Sequence, residues 1–155
     1  MSYDKKMIGN QEWCAFPELG IPAIKARIDS GAKTSSIHAF NISVYLKNDV
    51  QWVRFEVHPV QKNDEILISC ECPIVDKRDV KSSSGTSETR YVISTPISLG
   101  DSIWDAELTL SDRDAMGYRM LLGREAMNGR FVIDPSMKCV LGRLSIKKIN
   151  KFYKL

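Results

Sequence analysis

The stretch Ile24-Lys-Ala-Arg-Ile-Asp29-Ser-Gly-Ala-Lys-Thr-Ser-Ser36 decides how this chain is interpreted. Its opening residues alternate between aliphatic and basic side chains, which is typical of a strand with one buried face. The alternation ends at Asp29, and Ser30-Gly31 predicts a turn in which Gly31 can adopt backbone conformations closed to other residues. Backbone N–H groups and a hydroxyl could hold a carboxylate at such a strand end. On its own, however, the tripeptide favours an ordinary Asx-type turn.

Length and composition predict one globular domain. The chain has 155 residues and 43% hydrophobic content, which is enough for its own core. No apolar run approaches the ~20 residues of a membrane span, and the polar start does not lead into a signal-peptide segment. Four cysteines without a secretory signal are typical of reduced thiols in a cytosolic protein. We therefore expect a cytoplasmic domain over residues 1–155, with a core of about 12–146 and no membrane partner.

The net charge of +3 is unevenly distributed. Six basic residues and no acidic ones follow Asp134, so the rest of the chain is net negative. The basic tail, residues 147–155, could bind nucleic acid or another polyanion. Only Phe152-Tyr153 could serve there as a base-stacking platform. A solvated terminus is therefore favoured, and a nucleic-acid partner is not expected.

Short strands separated by turns fill most of the chain. Polar Lys47-Asn48-Asp49 separates two β-branched runs, which indicates a hairpin. Room for one helical turn follows Gly123 before Gly129 ends it. This pattern of many strands and one short helix predicts an all-β sandwich or barrel. The predicted strands are Trp13–Phe16 (at an edge), Ile24–Ile28, Ile37–Leu46, Gln51–Val57, Ile66–Cys72, Val75–Val80, Arg90–Ile93, Trp104–Leu110, Met120–Leu122, Phe131–Pro135 and Cys139–Leu141.

The polar segment Lys81–Glu88 between two of these strands predicts a mobile hairpin loop. It could act as a flap over a binding site. An ordinary surface loop is the alternative, and the segment by itself favours that alternative.

Several common site chemistries lack the residues they need. A zinc site needs spaced Cys and His ligands, yet His38 and His58 are the only histidines and Cys70-x-Cys72 has no second pair. The cysteines are therefore interpreted as small core residues. No phosphate-binding P-loop and no G-x-S-x-G nucleophile motif occur. The carboxylate of Asp29 remains as the candidate catalytic group.

Two motifs carry a resemblance to a known family. Asp29-Ser30-Gly31-Ala32 resembles the Asp-Thr/Ser-Gly-Ala signature of retropepsin-type aspartic peptidases. Leu121-Leu122-Gly123-Arg124 resembles the hydrophobic-hydrophobic-Gly segment that crosses behind the catalytic loop in that fold and precedes a short helix. The resemblance implies a retropepsin-like closed β-barrel with one short C-terminal helix.

More narrowly, the chain resembles a bacterial and archaeal family long labelled ATP-dependent zinc proteases and now regarded as retropepsin-like. That family usually has Thr where this chain has Ser30, so a hydroxyl is kept. The zinc and ATP of the label match no residues here, and no metal or cofactor is expected. The matching motifs, spread over about residues 20–135, are Lys25–Ser36, Trp52–Phe55, Val80–Gly85, Glu88-x-Arg90, Leu108–Arg113 and Met120–Arg124.

The resemblance implies a mechanism and an assembly. Aspartic peptidases hold two carboxylates close enough to share one proton, and the ionised one activates a water. Because this chain has a single motif of this kind, the second Asp would come from a two-fold-related copy, which makes the active species a homodimer. Asp29 would be catalytic, Ser30 would brace the paired loops, and Gly31 and Ala32 would admit the substrate backbone.

Cations within the matched motifs suggest a groove for carboxylates, which guanidinium groups bind well. Because the family is associated with glutamate-ligase gene neighbourhoods, the resemblance implies a peptide or protein substrate rich in glutamate. Two alternatives stay open: each cation could be a solvated or paired strand-end charge, and the domain could bind acidic peptides without cleaving them. The candidate substrate-binding residues are Lys33, Arg54, Lys81, Arg90, Arg113 and Arg124.

Overall fold

A computed structural model describes residues 5–81, 85–112 and 117–153. Within these ranges the chain forms twelve strands, two α-helices and one 3-10 turn at Pro17–Leu19. The strands are β1 Lys6–Ile8, β2 Gln11–Phe16, β3 Ile21–Ile28, β4 Ser35–His38, β5 Phe40–Lys47, β6 Val50–Val57, β7 Ile68–Pro73, β8 Asp76–Lys81, β9 Ser87–Leu99, β10 Ser102–Ser111, β11 Met120–Leu122 and β12 Phe131–Ile133. The helices are α1 Arg124–Met127 and α2 Ile146–Phe152.

Six strands close into a barrel in the order β10-β4-β11-β3-β2-β9, and β9 then pairs with β10. This arrangement confirms the predicted all-β closed barrel. Strand β2 lies inside the barrel wall, because it pairs with β3 and meets β9 at Ala15 and Ser98. The prediction of an edge strand at Trp13–Phe16 was therefore wrong, since barrel closure through a single residue pair leaves no mark in the local sequence.

Four further strand pairings lie outside the closed barrel. Strands β5, β6 and β7 form a separate antiparallel sheet, and β1 pairs with β12 in parallel. The predicted hairpin at Lys47–Asp49 is present, and Asn48 and Asp49 both have positive φ values, as a tight two-residue turn requires. Strand β8 pairs with the first half of β9 to form the second predicted hairpin, from here on the β8–β9 hairpin. The tip of that hairpin, residues 82–84, lies outside the described residues.

The predicted alternation is seen in the core. Ile24 and Ala26 of β3 are fully buried, whereas Lys25 and Arg27 are partly exposed. The alternation of β10 fails at Thr109, which is also buried, and its hydroxyl donates to the Ser35 carbonyl at 3.2 Å. At this point β10 is paired with β4 on one side and β9 on the other. Because neighbouring strands cover both edges of β10 here, Thr109 is buried although the alternation predicts an exposed side chain.

The described part of the basic tail, up to Tyr153, packs back onto the barrel. Helix α2 is capped by Ser145, whose hydroxyl accepts the Lys148 N–H at 3.2 Å, and it buries Ile149. The Tyr153 hydroxyl hydrogen-bonds to the backbone N–H and carbonyl of Ala23 in β3. Burial raises the pKa of Tyr153 to about 12. Ile149 and Tyr153 thus anchor this segment to the barrel. Neither α-helix of the described chain is long and apolar enough to span a bilayer.

Glu12 connects both ends of the chain to the barrel from inside. Its side chain is fully buried on β2 and accepts backbone N–H groups from Gly9 at 2.8 Å, Val140 at 2.9 Å and Leu141 at 3.1 Å. The strand predicted at Cys139–Leu141 does not form. A carboxylate satisfies these N–H groups in place of a neighbouring strand, and this role could not be inferred from a lone Glu in an alternating pattern.

We expect Glu12→Gln to lower the free energy of unfolding by about 3 kcal/mol, because an amide N–H group would face backbone donors in a buried site. Urea unfolding followed by tryptophan fluorescence measures this loss. The matched control is Glu18→Gln on the exposed 3-10 turn, which should change stability by less than about 0.5 kcal/mol. Equal effects of the two substitutions would contradict the assigned role of Glu12.

Candidate active site

Asp29 is the first residue after β3, and the backbone holds it in place on both sides. Its N–H donates to the Leu122 carbonyl at 3.0 Å, and its own carbonyl accepts the Ala32 N–H at 3.3 Å. Its carboxylate oxygen Oδ1 accepts the Gly31 N–H at 2.9 Å. Asp29 is half-buried, while Ser30 and Gly31 are exposed. A fixed carboxylate therefore stands at the surface within a tight turn, Asp29–Ala32, which we call the catalytic turn after the role predicted for it.

Gly31 is required for space and not for an unusual backbone conformation. It is absent from the described glycines that have positive φ values, so the expectation of such a conformation was wrong. A Cβ atom at this position would lie 3.2 Å from the Asp29 Oδ1 atom, closer than ordinary van der Waals contact. The absence of that atom lets the Gly31 N–H approach the carboxylate.

The Leu-Leu-Gly segment passes directly behind the catalytic turn, as the resemblance implied. Strand β11 pairs with β3 in parallel and with β4 in antiparallel orientation. A Cβ atom at Gly123 would lie 2.6 Å from the Thr34 carbonyl carbon, so only glycine fits this crossing without movement of the backbone. The Gly123 N–H donates to the Ser35 hydroxyl at 3.0 Å in a buried contact. The two segments are thus locked together.

Helix α1 completes the support of the catalytic turn. The first N–H groups of the helix have no partner within it, and those of Arg124 and Glu125 donate to the carbonyls of Ala32 at 2.7 Å and Lys33 at 3.0 Å. The Arg124 side chain donates from Nη1 to the Ser30 carbonyl at 3.0 Å. Arg124, predicted to bind substrate, is therefore seen to contact the turn itself.

A cleft of about 660 Å³ separates the catalytic turn from the β8–β9 hairpin. It brings Gly31, Ala32 and Lys33 together with Lys81 and Arg90, which agrees with the predicted grouping of these residues. Six lining residues were not among the predicted site residues, namely Thr34, Arg78, Asp79, Val80, Thr109 and Leu121. The available signal was the hairpin register, which places Arg78 opposite Arg90. The full lining is Gly31, Ala32, Lys33, Thr34, Arg78, Asp79, Val80, Lys81, Arg90, Thr109 and Leu121.

The remaining predicted cations have other surroundings. Arg54 lies on β6, forms an ion pair with Glu71 at 3.4 Å and stacks over Tyr45, and it is not among the residues that line the cleft. Lys33 forms a loose ion pair with Glu125 at 3.7 Å. Arg113 lies outside the described residues. The alternative of paired charges thus describes Arg54 and also Arg90, which pairs with Glu88 at 3.2 Å. Lys33, Lys81 and Arg90 nevertheless line the cleft.

Cysteines and histidines do not assemble into a metal centre in residues 5–81, 85–112 and 117–153. Cys14, Cys70 and Cys139 are buried and Cys72 is partly buried, and all four are free thiols. Burial raises the pKa of both Cys14 and Cys70 to about 12. These thiols stay protonated near neutral pH, which suits core residues and not nucleophiles.

Comparisons with known proteins agree with this geometry. Residues 7–143 match the family model described as RimB-like, "Retropepsin-like aspartic endopeptidase RimB". Proteins named probable alpha-L-glutamate ligase are 59% identical over 155 residues in Desulfotalea psychrophila and 54% identical over 153 residues in Shewanella pealeana. Each match covers 99% of this chain and 33% of the relative, so the chain spans a third of the length of these curated relatives.

A solved structure is also similar. A protein of unknown function from Legionella pneumophila superposes with a TM-score of 0.73 at 26% identity. The match covers 88% of this chain and 98% of the Legionella chain. Nearly all of the Legionella chain in that structure therefore shares the fold of this chain.

We expect Gly123→Ala to destabilise the fold by about 2 kcal/mol, because the added methyl group meets backbone atoms that cannot rotate away. Gly31→Ala should cost less than about 1 kcal/mol, since the Asp29 carboxylate can rotate. Thermal unfolding of both variants, monitored by circular dichroism, measures the difference. A larger loss for Gly31→Ala would contradict the assigned crossing.

Proposed function

We propose that this chain, which belongs to the RimB-like family of retropepsin-like aspartic endopeptidases, hydrolyses peptide bonds as a homodimer with one Asp29 from each subunit. The observation that carries the proposal is the catalytic turn. Its carboxylate is fixed by the Gly31 N–H and stands at the surface. Gly31 and Ala32 of the same turn line a cleft large enough for a peptide.

The chemistry follows from the approach of two carboxylates. Like charges a few ångströms apart cannot both ionise, so the pair of Asp29 residues would share one proton. The ionised carboxylate accepts a proton from a water molecule, which attacks the scissile carbonyl carbon. The protonated carboxyl donates a hydrogen bond to the carbonyl oxygen and stabilises the negative charge that develops there. This scheme uses neither a metal ion nor a nucleotide.

An exposed apolar face beside the catalytic turn supports the dimer. Met7 and Val132 are paired neighbours on β1 and β12, and 42% and 48% of their surfaces are exposed. The next residue of β12, Ile133, lines a small hollow together with Ser30, so the β1–β12 pair lies beside the turn. We call the exposed surface of Met7 and Val132 the β1–β12 face. A second copy that covers the face would remove apolar surface from water and bring two turns together about a two-fold axis.

Acidic peptides are the substrate class that the surroundings favour. The cleft is lined by four cations, Lys33, Arg78, Lys81 and Arg90, against one carboxylate, Asp79. Relatives named probable alpha-L-glutamate ligase contain a segment more than half identical to this chain. A hydrolase for glutamate-rich peptides would act on the class of bond that a glutamate ligase forms.

A binding module is the second candidate function. In the ligase-named relatives, the matched segment is one third of a longer protein. A domain in that setting could hold an acidic peptide while another part of the protein extends it. The two candidates differ in their need for an ionisable Asp29.

We expect Asp29→Asn to lower the rate of cleavage by roughly a thousandfold, because the isosteric amide cannot accept the proton from water. Digestion of a peptide library by both proteins, with fragments detected by mass spectrometry, measures the loss.

The matched control is Asp101→Asn, at a fully exposed carboxylate that makes only a 3.7 Å ion pair with Lys6. It should keep the wild-type rate, and so should wild type with EDTA or ATP added. Turnover by well-folded Asp29→Asn protein would disprove the aspartic mechanism. Chelation that removed activity together with stoichiometric zinc would disprove it too.

We expect Val132→Arg to convert a dimer into an inactive monomer, because a buried, unpaired guanidinium opposes association. Analytical ultracentrifugation at micromolar concentration, followed by an activity assay at that concentration, tests this. The control is Ile103→Arg, at an apolar side chain on β10 that is 68% exposed. A wild-type monomer with full activity would overturn the proposed assembly.

A further inference from the structure

Two arginines face each other across the β8–β9 hairpin. Arg78 of β8 and Arg90 of β9 are direct partners in the antiparallel register, so their side chains lie on one face of the hairpin. Asp76 and Val92 form a second pair on the same face, and Val92 is fully buried. The two arginines therefore project from the side of the hairpin that faces the barrel.

Carboxylates from three strands hold this arginine pair. Arg78 donates from Nε to Asp76 at 2.6 Å and from Nη1 to Glu107 of β10 at 2.9 Å. Arg90 donates from Nε to Glu88 at 3.2 Å, and its Nη2 atom lies 3.2 Å from the same oxygen. Like charges directly opposite each other destabilise a sheet. The three carboxylates offset that repulsion and fix the direction of both guanidinium groups.

Both guanidinium groups have donors beyond those used in the contacts described for this chain. A guanidinium has five N–H groups, and Arg78 and Arg90 each direct two of them at these carboxylates. Both residues line the cleft opposite Gly31 and Ala32 of the catalytic turn. Lys81 also lines it, but the alternation of β8 places its side chain on the other face from Arg78. The oriented donors above the turn thus belong to Arg78 and Arg90.

We propose that Arg78 and Arg90 form a subsite that binds one side-chain carboxylate of the substrate and so determines its specificity for glutamyl residues. The inference rests on the proposed function and deepens it. A carboxylate placed between two guanidinium groups accepts from both and removes the repulsion that remains between them. A glutamine side chain in this position offers one oxygen, carries no charge and presents N–H groups to N–H donors.

Peptide binding to the Asp29→Asn protein tests the subsite without cleavage. The probes are tetra-L-glutamate and its neutral counterpart tetra-L-glutamine, measured by isothermal titration calorimetry at fixed ionic strength. Arg78→Gln should weaken tetraglutamate binding by roughly tenfold to a hundredfold, the worth of a charge-assisted hydrogen bond. It should leave tetraglutamine binding unchanged. Arg78→Lys should weaken tetraglutamate binding as well, because an ammonium group lacks the planar fork.

The matched control is Lys77→Gln, which removes the same charge from the adjacent position, where Lys77 lies over Tyr91 on the outer face. It should change tetraglutamate affinity by less than about twofold, a screened long-range effect. The Arg78→Gln/Arg90→Gln double variant should lose less than the product of the single losses, because one carboxylate contacts both residues. Equal weakening of both peptides, or an equal effect of Lys77→Gln, would overturn the subsite.

The subsite and the peptidase can fail separately. If wild type fails to cleave tetraglutamate while Asp29→Asn protein binds it with the expected dependence on Arg78, the proposed hydrolysis is wrong and the subsite stands. If wild type cleaves both peptides with the same KM and Arg78→Gln changes neither value, the subsite is wrong and the hydrolysis stands. Thermal unfolding of each variant establishes that it is folded before binding is measured.

Discussion

The site depends on the contact between Gly123 and the backbone at Thr34. The distance available to a Cβ atom there is 2.6 Å, so two chain segments cross at a point where no side chain fits. The crossing allows β11 to pair with β3 and β4 at once and brings the Leu122 carbonyl to the Asp29 N–H. It also places the N–H groups at the start of α1 against the carbonyls of Ala32 and Lys33. The position of the carboxylate thus follows from one close approach of the backbone.

The sequence predicted those features that depend on neighbouring residues. The alternation of β3, the turn after it and the helical turn after Gly123 are all local, and each is present in the structure. The two motifs of the resemblance predicted that the catalytic turn contacts the Leu-Leu-Gly segment, although about ninety residues of chain separate them. Glu12 shows the limit of such reasoning. One of its three backbone partners, Gly9, lies three residues away, whereas Val140 and Leu141 lie near the other end of the chain. No periodicity in the sequence indicates these contacts.

The charged residues were predicted least well, because long side chains choose partners by three-dimensional proximity. Arg124 resembles a cleft residue in the sequence, yet its guanidinium reaches the Ser30 carbonyl and braces the turn. Arg54 has an acidic partner across its own sheet. Arg78 was not predicted as a site residue, because it lies in a strand of mixed charge. Its position opposite Arg90 is seen only in the register of the hairpin. Exposed ion pairs contribute little to stability, so the value of such pairs near a cleft lies in the orientation they impose.

The catalytic turn is exposed in the single chain, and this exposure bears on both the proposed chemistry and the proposed dimer. In the single chain, Ser30 and Gly31 are open to solvent and the Asp29 carboxylate has one hydrogen-bond donor, the Gly31 N–H, among the contacts described. A second carboxylate, brought close by a partner that covers the β1–β12 face, would supply both the charge repulsion and the exclusion of water that general base catalysis at a peptide bond requires. In the proposed enzyme, one chain would thus support the carboxylate and the association of two chains would activate it.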